Sequence, residues 1–432
     1  MLNEGQLKAL TAIKRWYRSP ELYMILDGAG GTGKSYLVNE LLQQIVCKPL
    51  LLAPTNEALK QLKDKVDGQY LFKTLHSALG ITPAKNAKEL TFEQVALPAI
   101  WEEHNLAIID EASMVDDWLL KILNDIGIKI LFIGHKSQLP PVKLKRLMTD
   151  KCVSPVFAKD YPSVTLTEPM RNKGDLWDFN NHLEEMIYTA DRVIPNTFDI
   201  SKADFYNLLA TEDVKDDFLT DRTKIALWSN EGVDRWNLVI RLLIHGNEAS
   251  LTKYLPKDRI ILTSPYISLE GLEVADEDVI RGLYKKEYDT FYSNTKATVL
   301  DCSEEVVILN VKLVIPVYKI LVSVDGMNEF FYECINPDDK EKIGHYFEHL
   351  AWGKVGKMKE EAFRLRRFIL TCFADVRHFF AASSHRLQGS SVPNIIVINS
   401  DIAKNSNMIE QKKCRYVSCS RAINNLYFYR GV

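Results

Sequence analysis

Apolar positions along the chain fall at two spacings. Leu7, Leu10, Ile13 and Tyr17 recur at helical spacing and predict an amphipathic helix over residues 4–18. Short continuous apolar runs follow: residues 23–26 read as a strand, 34–46 as a helix, Pro49–Ala53 as a second buried strand, and Leu106–Ile109 and 128–133 as two more. Strands alternating with helices predict a parallel, doubly wound α/β sheet. Between 81 and 104 the pattern breaks at Pro83, Asn86, Pro98 and several charges, which fits a small hairpin-like insertion. The α/β character resumes over 166–250, with 224–228 as a strand and 233–244 as a helix. Over 255–335 the runs are short and rich in Val, Ile and Tyr (Arg259–Leu262, 297–300, 306–308, 318–322, 330–332), the pattern of a small antiparallel barrel. Residues 338–370 are charged and helical, and 395–398 and 425–429 return to buried strands.

A chain of 432 residues has room for two to four domains. Its apolar and charged fractions, 46% and 26%, are those of ordinary globular proteins and exclude a disordered or fibrous chain. A net charge of −3 does not decide for or against nucleic acid, because a local Lys/Arg groove is enough to hold phosphates. The seven cysteines are scattered without a Cys-x-x-Cys pair, so they read as reduced thiols and not as a disulfide framework or zinc site. The first residues carry no basic stretch followed by an apolar core, and no apolar run is long enough to span a bilayer. The expectation is a soluble, cytoplasmic protein with no membrane partner.

The chemistry begins at Gly28-Ala29-Gly30-Gly31-Thr32-Gly33-Lys34-Ser35, which fits the phosphate-loop pattern Gly-x-x-x-x-Gly-Lys-Ser/Thr between a predicted strand and a predicted helix. The glycines let backbone N–H groups turn inward around phosphates, Lys34 reaches the β and γ oxygens, and Ser35 can hold Mg²⁺. ATP or GTP is the expected ligand. The run 106–111 is a buried strand ending in two adjacent acids. There Asp110 is expected to hold the metal opposite Ser35, and Glu111 to polarise an attacking water, so hydrolysis is expected as well as binding. An Asp-Glu pair alone is more often a solvated strand end; its company with the phosphate loop makes it specific.

Further short motifs follow in order: Ile133-Gly-His-Lys-Ser-Gln-Leu-Pro-Pro141, Leu166-Thr-Glu-Pro-Met-Arg171, Ser384-His-Arg-Leu-Gln-Gly-Ser390 and Tyr416-Val-Ser-Cys-Ser-Arg-Ala422. With Asp110-Glu-Ala-Ser-Met114, they resemble motifs II to VI of the superfamily 1 helicases, in the RecD-like (1B) branch. Ala53-Pro-Thr-Asn56 and Thr74-Leu-His-Ser77 are similar to motifs Ia and Ib, and Asn3-Glu-Gly-Gln6 to the glutamine motif that reads adenine. The resemblance runs from residue 3 to residue 422. It implies that Gln6 reads the adenine edge, that Gln138 senses the γ-phosphate, that Gly389 lies at the nucleotide, and that Arg171 and Arg421 bring guanidinium groups to the transition-state charge.

For DNA the candidates are Thr55, Asn56, Thr74, His76, Asn230, Ser384 and His385, whose hydroxyls, amides and rings can meet phosphates without reading sequence. Ordinary turn and capping chemistry is the competing explanation for these residue types. Phe92, in the 81–104 insertion, is a candidate for stacking on a base or wedging a fork, and equally for anchoring its hairpin. Two positions depart from the family pattern. Motif III usually reads Gly-Asp-x-x-Gln, but His135 follows Gly134, and Ser390-Ser391 stands where many relatives carry an acid after Gln-Gly.

The resemblance implies two RecA-like P-loop NTPase domains, parallel sheets flanked by helices. The first spans 1–165 with the insertion at 81–104. The second, 166–250 plus 375–432, is split by 251–374, an SH3-like β-barrel with a helical extension. It also implies an ATP- and Mg²⁺-dependent monomer moving 5′ to 3′ on single-stranded DNA and opening tailed or forked duplexes. Replication, recombination or repair, with single-strand-binding or replication proteins as partners, is the corresponding setting. The rivals are a ring-forming P-loop ATPase, which takes its arginine from a neighbouring subunit, a DNA-binding module that has kept the shape without turnover, and an RNA-unwinding enzyme.

Overall fold

The computed structural model describes residues 2–83, 92–141, 153–170, 173–190, 193–268, 288, 290–310, 313–351 and 357–431. The chain divides into two compact units. One comprises Met1–Leu208, Arg222–Val233 and Ala382–Val432, and the other Leu209–Asp221 and Asp234–Ala381.

In the first unit the apolar runs of the N-terminal half form a six-stranded sheet in the order Leu71–Thr74, Pro49–Ala53, Leu106–Ile109, Lys129–Gly134, Tyr23–Gly28, Ser163–Leu166. Every pairing in it is parallel. Side chains of a strand alternate between faces, so a strand buried on both sides must be apolar throughout. Leu50 and Leu52 accordingly enter one core with Ala107, Ile109, Ile130, Phe132 and Trp101. Leu51 enters the other with Leu106, Ile108, Leu131, Ile133, Leu37 and Leu41. The predicted hairpin is present as Ile81–Pro83 paired antiparallel with Phe92–Gln94, Pro83 opposite Phe92. Its tip and the Phe92 side chain lie outside the described residues.

A second sheet in the same unit has the order Ala381–Ser383, Thr223–Leu227, Val392–Ile398, Ala422–Tyr429, and its last three strands are mutually parallel. The two sheets give the unit its two α/β layers. The helix Glu4–Tyr17 starts with a capping box in which Asn3 and Gln6 exchange hydrogen bonds.

In the second unit the sheet is antiparallel, in the order Met327–Cys334, Leu313–Val324, Lys296–Asn310, Arg259–Leu262, Val376–His378. Its end strands, Met327–Cys334 and Val376–His378, approach where Ala374 N donates to Tyr332 O at 2.6 Å, and the SH3-like barrel remains an expectation for this unit. The runs expected as two strands at 297–300 and 306–308 are one strand, Lys296–Asn310, with register shifts at Val299/Asp301 and Ile308/Asn310. The polar stretch Asp301–Glu305 hides this continuity in the sequence, because Asp301, Ser303 and Glu304 are exposed while the backbone stays paired. Asp325 and Gly326, both at positive φ, close the hairpin to Met327–Cys334. The helices Asp338–Ala351 and Lys357–Thr371 cover one face through Ile343, Phe347, Leu365 and Ile369.

The units divide the helix Asn230–His245 near its start, although 166–250 reads as one α/β stretch in the sequence. A buried charge explains the division. Asp258 is fully buried and accepts two hydrogen bonds from Arg241 Nε, at 3.0 and 3.2 Å, and one contact from His245 Nε2 at 3.1 Å. These partners stand four residues apart on one helix face, so most of the helix is anchored to the antiparallel sheet's unit. Burial disfavours the Asp258 carboxylate, but hydrogen bonding and charge from His378, then Arg241, overcome this and lower its pKa. Removing one partner of a buried ion pair costs about 3–5 kcal/mol. Asp258→Ala is therefore expected to lower stability by about that amount in a urea titration; a loss below about 1 kcal/mol, the range of an exposed pair, would contradict the cluster's role.

Candidate active site

The phosphate loop joins the buried strand Tyr23–Gly28 to the helix Lys34–Gln44. Gly31 and Gly33 sit at φ 86° and 84°, where a side chain is strained. A Cβ on Gly33 would also lie 2.4 Å from Gln6 Nε2. No side chain caps the helix that follows, so its first N–H groups point into the loop with the positive end of the helix dipole. Lys34 Nζ donates to Gly28 O at 2.6 Å and Ala29 O at 3.0 Å. Burial lowers the Lys34 pKa, and the nearby charges of Glu111, Asp110 and Asp27 act against that.

Strand Leu106–Ile109 delivers the acid pair. Asp110 Oδ1 accepts from the Glu111 N–H at 2.9 Å. Burial, and next the Glu111 charge, push the Asp110 carboxyl up to about 6, against the lowering effect of Lys34. Glu111 holds φ 51°, a left-handed conformation that a non-glycine residue adopts at a cost of about 1–3 kcal/mol and that concentrates at active sites. Its Oε2 is buried without a hydrogen-bond partner. An uncapped helix start, an unpartnered Glu111 carboxylate oxygen and an Asp110 carboxyl raised by burial, and next by the Glu111 charge, form a donor set that fits a phosphate chain and a divalent cation.

Arg421 approaches from the second sheet's side of the same unit. One of its amino nitrogens lies 3.6 Å from where a Cβ on Gly30 would stand. The guanidinium is buried and donates to Val417 O, Ser390 O and Ser420 Oγ at 3.0–3.2 Å. Burial lowers its pKa, while the Glu111 charge raises it. A Cβ on Gly389 would stand 3.7 Å from Glu111 Oε1, so Gly389 also reaches this centre. Gln138 is buried and accepts from Ser113 Oγ at 3.1 Å, and Ser113 in turn accepts from Gln388 Nε2 at 2.9 Å. Arg171 lies outside the described residues.

Several of these contacts are not readable from motifs. Gln388 joins the two halves through Ser113 and Leu139 O. The buried Lys413 donates to Lys136 O and Gln138 O, both at 2.8 Å, gripping the loop that carries Gln138. Lys413 carries no sequence signal that distinguishes it from a surface residue, whereas Gln388 stands within the motif Ser384–Ser390 but is given no role by it. Gln6 is buried; its Oε1 accepts from Asn3 N at 3.1 Å and its Nε2 donates to Thr32 O at 3.4 Å, so its amide braces both the helix start and the loop. The Asn-x-x-Gln spacing is the capping-box signal that announces this bracing.

Among the DNA candidates, Thr55 and Thr74 are helix N-caps, their hydroxyls accepting from Ala58 N and Ser77 N. Asn56 follows Thr55 in the first turn, and Asn230 is exposed at the start of its helix. His76 and His385 are half-buried with pKa values lowered by burial, and His385 Nε2 lies 3.7 Å from Glu410 Oε1. Ser384 departs from expectation. It is fully buried, its hydroxyl shared between Leu227 O and Ser418 Oγ at 2.9 Å each, so it anchors the core of the second sheet and presents nothing to a strand of DNA. Among the described residues no helix is long and apolar enough to cross a membrane.

Residues 1–184 match the AAA domain family. The chain is 24% identical over 422 residues to the ATP-dependent DNA helicase dda of Enterobacteria phage T4, with 92% of each chain covered. Over 154 residues it is 30% identical to the RecD subunit of the RecBCD enzyme of Buchnera aphidicola, which covers 30% of this chain and 25% of that one. Among solved structures, the Pif1 helicase from Bacteroides in complex with ADP-AlF3 and single-stranded DNA is similar at a TM-score of 0.53 and 16% identity, over 99% of this chain and 92% of that one. That likeness is one of fold, and it agrees with two RecA-like domains.

Proposed function

We propose that this chain, a member of the RecD-like branch of the superfamily 1 helicases close to Dda, is an ATP-hydrolysing motor that moves 5′ to 3′ along single-stranded DNA and opens the duplex ahead. The observation that carries this reading is the meeting of Lys34, the Asp110–Glu111 pair and Arg421 from two α/β layers of one compact unit. Lys34 and the free helix-start N–H groups hold the phosphate chain. Ser35 and Asp110 are the residues to hold Mg²⁺, which when bound shields the phosphate charges. Glu111, with one oxygen free of partners, takes the proton of the attacking water. Gln138 reports on the γ-phosphate to Gln388 through Ser113. Arg421 comes from the same chain, which supports turnover by a monomer over a ring that borrows its arginine. Arg171 is assigned the same role on the family pattern, and Gln6 and Gly389 are assigned to the nucleotide on that pattern too.

Thr55, Asn56, Thr74, His76, Asn230 and His385 are proposed to follow the DNA backbone through phosphates and not bases. Polarity, and a place in replication, recombination or repair beside single-strand-binding proteins, rest on the likeness to Dda.

The test is steady-state ATP turnover with and without single-stranded DNA, followed by strand separation on duplexes with a 5′ or a 3′ tail. DNA-stimulated turnover at a rate per chain independent of enzyme concentration, with opening of the 5′-tailed duplex alone, is expected. Turnover indifferent to DNA would point to another class of P-loop ATPase, and stimulation by RNA alone would reassign the substrate.

A further inference from the structure

His135 follows the strand Lys129–Gly134 directly, and Asp27 lies opposite Gly134 in the neighbouring strand, one residue before the phosphate loop. The ring is buried. Its Nδ1 lies 2.7 Å from Asp27 Oδ1 and its Nε2 lies 2.8 Å from Glu184 Oε1, on the helix Asp175–Tyr188. Both carboxylate oxygens already accept another hydrogen bond: Gly28 N donates to Asp27 Oδ1 at 2.8 Å and Ser137 Oγ to Glu184 Oε1 at 2.9 Å. A neutral imidazole has one N–H and one bare nitrogen, and an ionised carboxylate only accepts. Two carboxylates facing both ring nitrogens therefore require both nitrogens to donate, which makes the ring an imidazolium.

We infer that His135 is a positioning residue whose positive charge ties the phosphate-loop strand to the second half of the motor, and that DNA-stimulated turnover depends on this tie. The inference rests on the motor reading above. The acid usual at this position would stand beside Asp27 and Glu184 as a third carboxylate, with only Lys34, behind Asp27, to offset it. In this chain the histidine makes the two acids compatible.

The ring is also placed to relay position. It lies 6.0 Å from the Tyr416 ring on the helix Met408–Cys419, and Lys413 of that helix holds the carbonyls of Lys136 and Gln138. Two residues beyond the helix comes Arg421. The charged and titratable groups facing the ring are Asp27 and, behind it, Lys34; Glu184 and Tyr188 on the helix Asp175–Tyr188; and Tyr416. Tyr188 shares Ser137 with Glu184, and Lys136 lies over the Tyr188 ring at 5.2 Å. Burial opposes the ring's charge, but the hydrogen bonds and charges of Asp27 and Glu184 outweigh it and raise the pKa above 6.5. For a group raised on folding, the linked stabilisation is complete below the unfolded value and is lost as pH rises through the folded one.

The experiment compares wild type, His135→Gln, His135→Asp and Asp27→Asn/His135→Asp for DNA-stimulated kcat and for KM of ATP across pH 6–9, with circular dichroism to verify folding. Wild-type stimulation is expected to decline on the alkaline side. His135→Gln should lose at least about fivefold in stimulated kcat at low pH, with KM little changed, and lose that alkaline decline. His135→Asp should be lower at every pH, and adding Asp27→Asn should restore part of the loss by removing one carboxylate. If His135→Asp does not fold, His135→Gln alone decides. Wild-type stimulation with His135→Gln matching it in rate and pH profile would overturn this inference and leave the motor reading standing. Absence of stimulation in wild type would overturn both.

Discussion

Lys34→Ala is expected to reduce ATP turnover by roughly 10²–10³-fold or more while leaving the protein folded, since it removes a preorganised donor aimed at developing charge. The structure separates these two effects. The Lys34 ammonium touches only loop carbonyls, Gly28 O and Ala29 O, and the strand and helix on either side are held by Leu26, Leu37 and Leu41 in the core. Electrostatically, though, it is a cation coupled to both acids, Glu111 and Asp110. Its loss leaves those carboxylates facing phosphates without a mobile positive charge between them. The measurement is single-turnover hydrolysis beside a thermal melt. A melt within a few degrees of wild type with no detectable turnover fits the assignment, whereas a fall in rate of less than tenfold would remove Lys34 from the phosphate-binding role.

The second large effect is expected at Arg421. Losing an arginine finger costs about 10³–10⁵ in kcat, which at the lower end is about 4 kcal/mol of transition-state stabilisation. Arg421→Lys is the more informative variant, because it keeps a charge but gives up the fixed fork of donors that reaches Val417 O, Ser390 O and Ser420 Oγ. A lysine cannot hold those three acceptors and also face Glu111. The expected signature is a fall in kcat of about 10³ with ATP affinity nearly unchanged, because the contact strengthens as charge develops and not in the ground state. A rise in KM with kcat intact would instead make Arg421 a ground-state binding residue. DNA affinity, read by fluorescence anisotropy, should not move with either substitution.

Legibility in the sequence followed physical rules that differ from element to element. Central strands such as Pro49–Ala53 and Leu106–Ile109 are apolar at every position because both faces are covered, and that pattern needs no long-range knowledge. The edge strands Leu71–Thr74 and Ser163–Leu166 are half-exposed and carry no such run, so they merge with loops when only the sequence is read. The long strand Lys296–Asn310 hid behind its outward-facing acids for the same reason. At the site, the phosphate loop and the acid pair are local in sequence and were legible. His135 was legible as a departure, but its meaning was not, since its partners lie 108 and 49 residues away. Ser384 misled because a serine in a motif loop looks like a phosphate ligand until its burial is known.

The seam between the two α/β layers has a further consequence. Much of it is hydrogen-bonded: Gln388 to Ser113 and Leu139 O, and Lys413 to the carbonyls of Lys136 and Gln138. A hydrogen bond exchanged for one with water changes the free energy by only about 0.5–1.5 kcal/mol, whereas separating an apolar joint carries a cost that grows with every square ångström exposed. A joint of the first kind can be parted and rejoined many times a second with little energy stored or wasted in the parting. Wear in such a machine would begin where a polar partner is replaced by an apolar one, because the buried mate left behind costs about 1–3 kcal/mol.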